Sequence, residues 1–408
     1  MPSCPPPSRF VSGKRTIAVV RDVLLVCPQE RDFALIEAAQ LEERYRVYAV
    51  GADLDSHDVD PKQVLEEAAR LPADGAVGTK DRSALLAALV AERLGLPGPT
   101  PQALVACQHK AASRDVQRRV APKATPRFEP LDGVPALEPP FFVKPVVGRL
   151  SQLARRIDDL DELAALPSHD PYGDGYAEIA ELAGFPPDRI RGYVAEELME
   201  GDEVTLEGYV HAGRVTVIGV TDSVKYPGTN SFERFEYPSR FPRERLDELS
   251  DIAGRLLPAL GFDGGFFNVE FFVPETGPAK IIEVNGRIAS QFAPLVQALH
   301  GRSTYELLFA LACGDDPGWT AHEPDGAAVS YVVRTFEDAY VAAAPQPADG
   351  VEILVRPGRR LSEQGTNDVG SFRLAIVYEA GETRAKALER ARGRASKLTF
   401  RLEPALER

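Results

Sequence analysis

At residues 268–273 the chain reads Asn-Val-Glu-Phe-Phe-Val, and at residues 281–287 it reads Ile-Ile-Glu-Val-Asn-Gly-Arg. The four residues at 274–277, Pro-Glu-Thr-Gly, are typical of a turn. The pattern therefore predicts a hairpin of two paired strands, at 265–273 and 280–285. Phenylalanines at positions 266, 267, 271 and 272 indicate that this hairpin is largely buried.

The polar side chains of this hairpin are predicted to converge. Because side chains alternate across a strand, Asn268 and Glu270 share one face of the first strand. Glu283 and Asn285 share one face of the second, so pairing brings the two carboxylates to about 5 Å from each other. Two carboxylates and an amide oxygen suit Mg²⁺, which completes its coordination with waters and substrate phosphates. The sequence therefore indicates that Glu270 and Glu283, with an amide oxygen of the same faces, could hold two Mg²⁺ ions, or Mn²⁺ in their place.

An ordinary hairpin whose polar residues face water is the alternative. For Glu270 alone it is the better explanation, but the apolar flanks weaken it because an unpaired buried carboxylate is costly. Arg287 follows the second strand directly, and its planar guanidinium could hold a phosphate or an oxyanion.

A lysine at the end of a short apolar strand is a second candidate for phosphate binding. Lys144 closes the predicted strand 141–144 and precedes a loop that contains Gly148 and Ser151. The lysine could reach the α and β phosphates of a nucleotide, while the backbone N–H groups of the loop and Ser151 cover the outer phosphates. Taken alone, the segment fits a surface lysine before a turn better. The pattern GxxxxGK[ST] is absent, so a P-loop is not supported.

The segment at 194–203, Val-Ala-Glu-Glu-Leu-Met-Glu-Gly-Asp-Glu, is a third candidate. Apolar residues at the end of a strand can hold an adenine ring, whose polar edge the neighbouring backbone can bind. The carboxylate of Glu203 could accept hydrogen bonds from ribose hydroxyls. A solvated acidic turn is the alternative, and in isolation it is the default.

The composition limits the classes of partner. The 408 residues include 61 acidic and 47 basic side chains, a net charge of −14, which disfavours nucleic acid. The four cysteines are far apart and form no CxxC pair, so we expect reduced cytoplasmic thiols and no zinc site. Residues 1–15, rich in proline and serine, are predicted to be a disordered tail without the apolar core of a signal peptide. No apolar run approaches the length of a membrane span.

Strands and helices alternate over residues 16–100, which predicts an α/β unit with a parallel sheet. The sequence Gly-Leu-Pro-Gly-Pro at 95–99 breaks that pattern. Beyond it we predict one helix at 102–119, a helix at 157–166, and a hairpin of strands 204–210 and 214–220. Residues 321–408 are predicted to form a small α+β domain.

Taken together, these segments resemble the ATP-grasp superfamily, in the carboxylate–amine ligase branch near biotin carboxylase and the L-amino acid ligases. The resemblance is best over residues 75–310. It implies a multidomain α/β and α+β protein with ATP between two antiparallel sheets. The N-terminal, Rossmann-like domain would span 16–100, the ATP-grasp domain 101–320 with its lid at about 123–195, and the C-terminal domain 321–408.

The resemblance also assigns roles to single residues. It implies ATP-phosphate contacts from Lys110 and Lys144, a covering loop with Gly148 and Ser151, an adenine hinge at Glu196 and Leu198, a ribose contact from Glu203, metal ligands Glu270, Glu283 and Asn285, and a catalytic Arg287. Two positions depart from the family pattern. The covering loop has one glycine where two or three are usual, and Ser290 replaces a glycine that borders the acceptor site in relatives.

The implied activity is ATP-dependent ligation of a small-molecule carboxylate to an amine through an acyl phosphate. Amino acids or specialised metabolites are the expected substrates, and two amino acids would give a dipeptide. One alternative is a bicarbonate-dependent enzyme similar to biotin carboxylase, and another is a nucleotide-binding protein without catalysis. The resemblance leaves open a homodimer and a carrier-protein-bound substrate.

Overall fold

The computed structural model describes residues 20–149, 151–168, 170–320, 322–364, 367–368 and 370–404. The predicted disordered tail at 1–15 lies outside these residues. Within them, every helix is too short or too polar to cross a lipid bilayer.

The N-terminal part of the chain is built on a small parallel sheet. Its strands are β1 (Arg21–Val26), β2 (Tyr45–Val50) and β3 (Gly75–Val77), in the order β2–β1–β3. The helices α1 (Glu30–Ala38), α2 (Pro61–Ala68) and α3 (Asp81–Leu94) alternate with them. All strand pairs are parallel, so the predicted parallel sheet is confirmed.

The predicted single helix at 102–119 is wrong in one respect, because the structure has two helices there. They are α4 (Pro101–Gln108) and α5 (Lys110–Val120). His109 separates them with an extended backbone, φ −81° and ψ 102°, and its Nδ1 accepts a hydrogen bond from the Ala112 N–H at 3.1 Å. A side chain that caps the second helix thus ends the first.

A four-stranded antiparallel sheet, called the lid sheet, comes next. Its strands are β4 (Phe128–Pro130), β5 (Phe141–Pro145), β6 (Arg155–Ile157) and β7 (Tyr193–Glu197), in the order β4–β7–β5–β6. The helices α6 (Pro171–Leu182) and α7 (Pro187–Ile190) lie between β6 and β7. The predicted helix at 157–166 is wrong: Ile157 ends β6 opposite Phe141, and only Leu160–Ala165 form a 3₁₀ turn.

The remaining chain forms a large antiparallel sheet in the order β12–β11–β8–β9–β10–β13–β17–β15, with β16 also paired to β17. Its strands are β8 (Asp202–His211), β9 (Arg214–Lys225), β10 (Phe232–Tyr237), β11 (Gly265–Val273), β12 (Lys280–Asn285), β13 (Ala327–Thr335), β15 (Val351–Ile353), β16 (Asn367–Asp368) and β17 (Ser371–Gly381). The helices of this part are α8 (Arg243–Ala259), α9 (Ala293–His300), α10 (Thr304–Ala312) and α11 (Arg384–Ala395). The strands β14 (Ala339–Ala343) and β18 (Arg401–Pro404) pair separately. The large sheet contains strands from both sides of residue 320, which is the predicted boundary between the ATP-grasp and C-terminal domains. That domain division stays a prediction.

Helix α4, which follows the N-terminal part, packs directly against the end of β12. Gly286 follows that strand, and a Cβ added to it would lie 2.4 Å from Leu104 Cδ2 on α4. A larger residue at this position would require Leu104 to shift. The contact places Asn285 and Arg287, on either side of Gly286, at the junction between the large sheet and the N-terminal helices.

Candidate active site

Two carboxylates face each other across the β11–β12 hairpin. In the register of this pair, Glu270 is opposite Glu283 and Asn268 is opposite Asn285. The next strand, β8, places Thr205 opposite Glu270, so polar side chains of three strands share one face of the large sheet. The predicted strand pairing and the predicted meeting of Glu270 and Glu283 are both present.

An amide links these side chains. The Asn285 Nδ2 group donates to Asn268 Oδ1 at 2.9 Å, to Glu270 Oε1 at 3.3 Å and to Glu283 Oε1 at 3.4 Å. A metal ion at this place would repel the NH₂ group and favour rotation of the amide by half a turn. Asn285 Oδ1 would then face the carboxylates, as the predicted role of metal ligand requires.

The pKa values of the two carboxyl groups, Glu270 and Glu283, are shifted in opposite directions. Burial, followed by the charges of Glu283 and Glu203, raises the pKa of Glu270 well above its usual value. Burial acts on Glu283 in the same direction, but the charges of Lys110, Lys144 and Arg287 together lower its pKa. Burial and the neighbouring carboxylates thus favour the protonated form of Glu270, whereas the nearby cations favour the charged form of Glu283.

The oxygen atoms of these side chains suit a metal ion whose remaining ligands come from a substrate and from water. In the described ranges, no three histidine, cysteine, aspartate or glutamate side chains are grouped so that they could hold a metal ion by themselves. Glu270, Glu283 and Asn285 offer two carboxylates and an amide, all hard oxygen donors. Mg²⁺ is commonly bound through one or two carboxylates plus phosphates and waters.

Both predicted phosphate-binding lysines reach this face. The Lys110 ammonium, on the first residue of α5, lies 3.2 Å from Glu283 Oε2. The Lys144 ammonium, on β5 of the lid sheet, donates to the Ile282 carbonyl at 3.1 Å. They are 9% and 5% exposed. The lid sheet and the large sheet thus meet at the face that carries Glu270 and Glu283, with two cations between them.

Glu196 is held in a buried ion-pair network. Its carboxylate accepts from Arg114 Nε at 2.7 Å and from Arg114 Nη2 at 3.1 Å, and lies 2.9 Å from the Lys144 ammonium. Burial opposes its charge, but Arg114 and Lys144 lower its pKa to about 2. With 0% exposure, its side chain is fully engaged, so the predicted nucleotide contact would have to come from its backbone.

Sequence reasoning missed Arg114, although a signal existed. Arg114 follows Lys110 by four residues on the same helix, α5, so the two side chains lie on one helical face. Its guanidinium also donates to the Ile282 carbonyl at 2.8 Å. Arg114 therefore joins α5, the lid sheet and β12.

Two other predicted nucleotide-binding residues, Glu203 and Leu198, lie on the large sheet and directly after β7 of the lid sheet. Glu203 shares the sheet face of Glu270 and lies 3.0 Å from the Lys225 ammonium. Burial raises the pKa of Glu203, Lys225 opposes this, and Glu283 adds to it. Leu198 is half-buried in the segment after β7. These positions agree with a nucleotide between the sheets, and the individual roles stay predictions.

Arg287 is not a free cation. Its guanidinium donates to Asp81 Oδ1 at 2.9 Å through Nε and to Oδ2 at 3.4 Å through Nη2. Asp81 is the first residue of α3, and nothing in the sequence singled it out. The pair orients the guanidinium and joins α3 of the N-terminal part to the segment that follows β12.

The roles predicted for Gly148 and Ser151 in covering the ATP phosphates stay predictions. Ser151 is exposed, with φ +53°, and among the described residues neither it nor Gly148 bonds to the lysines or the carboxylates. Their neighbour Arg149 forms an ion pair with Asp55 of the N-terminal part, and both Arg149 and Arg82 lie over the Tyr172 ring, at 5.2 and 4.9 Å. The covering loop is thus held on the N-terminal part.

Replacing Asp55 with asparagine is expected to release this loop. The ion pair is mostly shielded from solvent, at 25% and 20% side-chain exposure, so we assign it about 1 kcal/mol. Amide hydrogen exchange at 148–154, measured by mass spectrometry, should accelerate about fivefold. Asp58, exposed in the same segment, supplies the control Asp58→Asn. Equal exchange in both variants would contradict the role of the pair.

A buried carboxyl on the same sheet predicts a pH-dependent stability. Glu207 Oε1 accepts from the Ala289 N–H at 3.0 Å, and burial raises the pKa of Glu207 from 4.5 to about 8. Between these values the folded chain binds a proton that the unfolded chain does not, so stability falls as the pH rises through this window. Glu207→Gln keeps the acceptor without titrating. In urea denaturation, the free energy of unfolding of Glu207→Gln minus that of the unsubstituted protein should rise by at least about 1 kcal/mol between pH 5 and pH 8.5. A difference that stays constant with pH would refute this.

Two sheets that enclose buried lysines and paired carboxylates are the arrangement expected of an ATP-grasp protein. Comparison with known families agrees, because residues 137–294 match the family model of the ATP-grasp domain. The chain therefore contains an ATP-grasp domain, and the predicted membership of this superfamily is confirmed. Over its whole length the chain is similar to an L-amino acid ligase from Bacillus licheniformis, with a TM-score of 0.74 and 18% identity, covering 93% of this chain and 98% of that one. This likeness confirms the predicted fold.

Two curated proteins are similar in sequence. The uncharacterized protein y4rH of Sinorhizobium fredii (strain NBRC 101917 / NGR234) is 27% identical over 291 residues, which cover 68% of this chain and 58% of that protein. Carnosine synthase 1 of Mus musculus is 24% identical over 336 residues, which cover 78% of this chain and 38% of the synthase. The chain thus spans less than two thirds of either relative.

Proposed function

We propose that this protein is an ATP-dependent ligase that joins a small-molecule carboxylate to an amine through an acyl phosphate. The observation that carries the proposal is the placement of Glu270 opposite Glu283, with the Lys110 and Lys144 ammonium groups beside them. Paired carboxylates and two buried cations between two sheets suit a bound Mg–nucleotide. The full-length likeness to an L-amino acid ligase supports the reaction class.

Each part of the site has a role in this proposal. Lys110 and Lys144 bind and orient the phosphates of ATP. Glu270, Glu283 and Asn285 would hold two Mg²⁺ ions, which supply charge neutralisation during phosphoryl transfer. The γ-phosphate passes to the substrate carboxylate, and the amine then displaces phosphate from the acyl phosphate to form the amide. Arg287 stabilises the oxyanion formed during the attack of the amine.

The direct test is incubation with ATP, Mg²⁺ and pooled amino acids, followed by ADP measurement and mass spectrometry of the products. The proposal expects ADP together with a new amide. Bicarbonate-dependent ADP release without an organic carboxylate would favour a carboxyphosphate-forming enzyme instead. ATP binding without ADP release, across every carboxylate and amine offered, would reject ligation.

Arg287→Lys is expected to reduce kcat about a hundredfold while changing the KM for ATP little. An ammonium keeps the charge but cannot reproduce the planar fork, and loss of one oxyanion donor has an effect of this order. Steady-state kinetics of ADP release would measure both constants. Asp81→Asn, which keeps the arginine but weakens its orientation, should cost only about tenfold in kcat. Equal losses in kcat and ATP affinity for Arg287→Lys would undo the assignment.

A further inference from the structure

Two buried side chains of the large sheet hold the backbone of the segment that carries Arg287. The Asn268 Nδ2 group donates to the Arg287 carbonyl at 3.0 Å, and Glu207 Oε1 accepts from the Ala289 N–H at 3.0 Å. The two bonded groups belong to the peptide units on either side of Ile288. Both peptide units that follow the Arg287 Cα are therefore fixed to the sheet.

These two anchors, Asn268 and Glu207, are neighbours in the sheet. They lie opposite each other on β11 and β8, so their side chains share the face that carries Glu270 and Glu283. They are 1% and 3% exposed, and buried polar groups are costly unless they are hydrogen-bonded. Their contacts with the segment after β12 offset this cost.

The anchors and Asp81 act on opposite ends of Arg287. Asp81 accepts from the guanidinium at 2.9 Å, whereas Asn268 and Glu207 bond to the backbone beyond the Cα. Several rotatable bonds separate these two ends, so the guanidinium has a defined position only when both ends are held. A misplacement of about 1 Å in an active site can cost about a hundredfold in rate.

The two anchors differ in their connection to the predicted metal ligands. Asn268 Oδ1 also accepts from Asn285 at 2.9 Å, so a half-turn of the Asn285 amide, which a metal ion would favour, would change the hydrogen bonds of Asn268. In the part of the chain that the structure describes, the hydrogen bond of the Glu207 carboxyl is the one to Ala289. The hold of Glu207 on the segment is therefore independent of the orientation of Asn285.

We propose that Glu207 is a positioning residue for Arg287 and holds its backbone so that the guanidinium lies where the oxyanion forms. The proposal rests on the ligase function above and deepens it. It assigns to a carboxyl that touches neither ATP nor substrate a part in the amide-forming step.

Three substitutions of Glu207 test this role. Glu207→Leu removes the acceptor, Glu207→Asp withdraws it by one methylene group, and Glu207→Gln keeps it. Burial raises the pKa of Glu207 to about 8, so at pH 7 the side chain is a neutral carboxyl that glutamine copies in shape and charge. Circular dichroism and thermal unfolding would identify the folded variants, and Glu207→Asp gives the result if Glu207→Leu does not fold.

Tyr209→Phe is the matched control. Tyr209 lies on the same strand, and its hydroxyl also accepts from a backbone N–H, that of Trp319 at 3.1 Å. The substitution therefore removes the same kind of anchor from a different segment. A general weakening of the sheet would affect this variant as much as Glu207→Leu.

The first measurement needs no turnover. Each variant is treated with limiting phenylglyoxal, and modification of Arg287 is measured relative to Arg243 by peptide mass spectrometry. Their side chains are 20% and 80% exposed, so the rate at Arg287 reports how firmly its guanidinium is held. We expect this rate to rise at least about threefold in Glu207→Leu and Glu207→Asp, and to stay at the value of the unsubstituted protein in Glu207→Gln and Tyr209→Phe. Equal rates in all variants, or an equal rise in Tyr209→Phe, would overturn the proposal.

The second measurement is the kinetics of ADP release. Glu207→Leu should lower kcat at least about tenfold and change the KM for ATP less than about twofold, because the phosphate-binding lysines are untouched. Added to Arg287→Lys, the same substitution should lower kcat by less than about twofold more, since the planar fork that it positions is already lost. A full tenfold loss in that background, or an equal loss in Tyr209→Phe, would contradict the role. Because the labelling needs no ADP release, it separates failure of this role from failure of the ligase function.

Discussion

Glu283→Ala is expected to abolish ATP turnover while leaving the chain folded. The substitution removes one of the two facing carboxylates and the partner of Lys110. The site then loses a metal ligand and the counter-charge that positions a phosphate-binding lysine. We expect ADP release to fall at least about a thousandfold, since charge stabilisation at a metal site contributes several kcal/mol to the transition state.

The control for this prediction lies in the same hairpin. Glu275 is exposed in the turn between β11 and β12, so Glu275→Ala changes the same charge without touching the site and should keep parental turnover. Circular dichroism and thermal unfolding of both variants would show that the fold is retained. Turnover within tenfold of the parent in Glu283→Ala would remove Glu283 from the proposed ligand set.

Glu196→Gln is expected to cause the largest loss of stability. Its carboxylate neutralises both Arg114 and Lys144, and all three side chains are almost inaccessible. Removing the charge leaves two buried cations without a counter-ion, which costs about 3–5 kcal/mol. Urea denaturation would measure this loss, and the KM for ATP should rise because Lys144 loses its anchor.

Neighbouring Glu197 is the matched control. It pairs with Arg127, whose side chain is 77% exposed, and with Lys280. Glu197→Gln should therefore cost less than about 1 kcal/mol. The unsubstituted protein should have the higher free energy of unfolding, and its difference from Glu196→Gln should be fully present above pH 4.5. The difference should shrink as the pH drops toward about 2, where Glu196 takes up its proton. Similar losses in the two variants would contradict the special role of Glu196.

The hairpin was predictable because its determinants are local. A turn, alternating side chains and flanking phenylalanines define the two strands, and strand pairing across a short turn then places Glu270 opposite Glu283. The β8–β9 hairpin was recognised for the same reason. The break at His109 was missed because residues on both sides of it form helices, and only a side-chain cap separates the two.

By itself, the sequence determined the ATP-grasp motifs, their order and the hairpin that carries the carboxylates, because each depends on neighbouring residues. The tertiary structure alone decided how the charges are paired. Arg114 meets Glu196 across 82 residues and Arg287 meets Asp81 across 206. The physical reason is that burial and ion pairing depend on how distant segments pack, and a charged side chain looks the same in the sequence whether water or a counter-ion faces it.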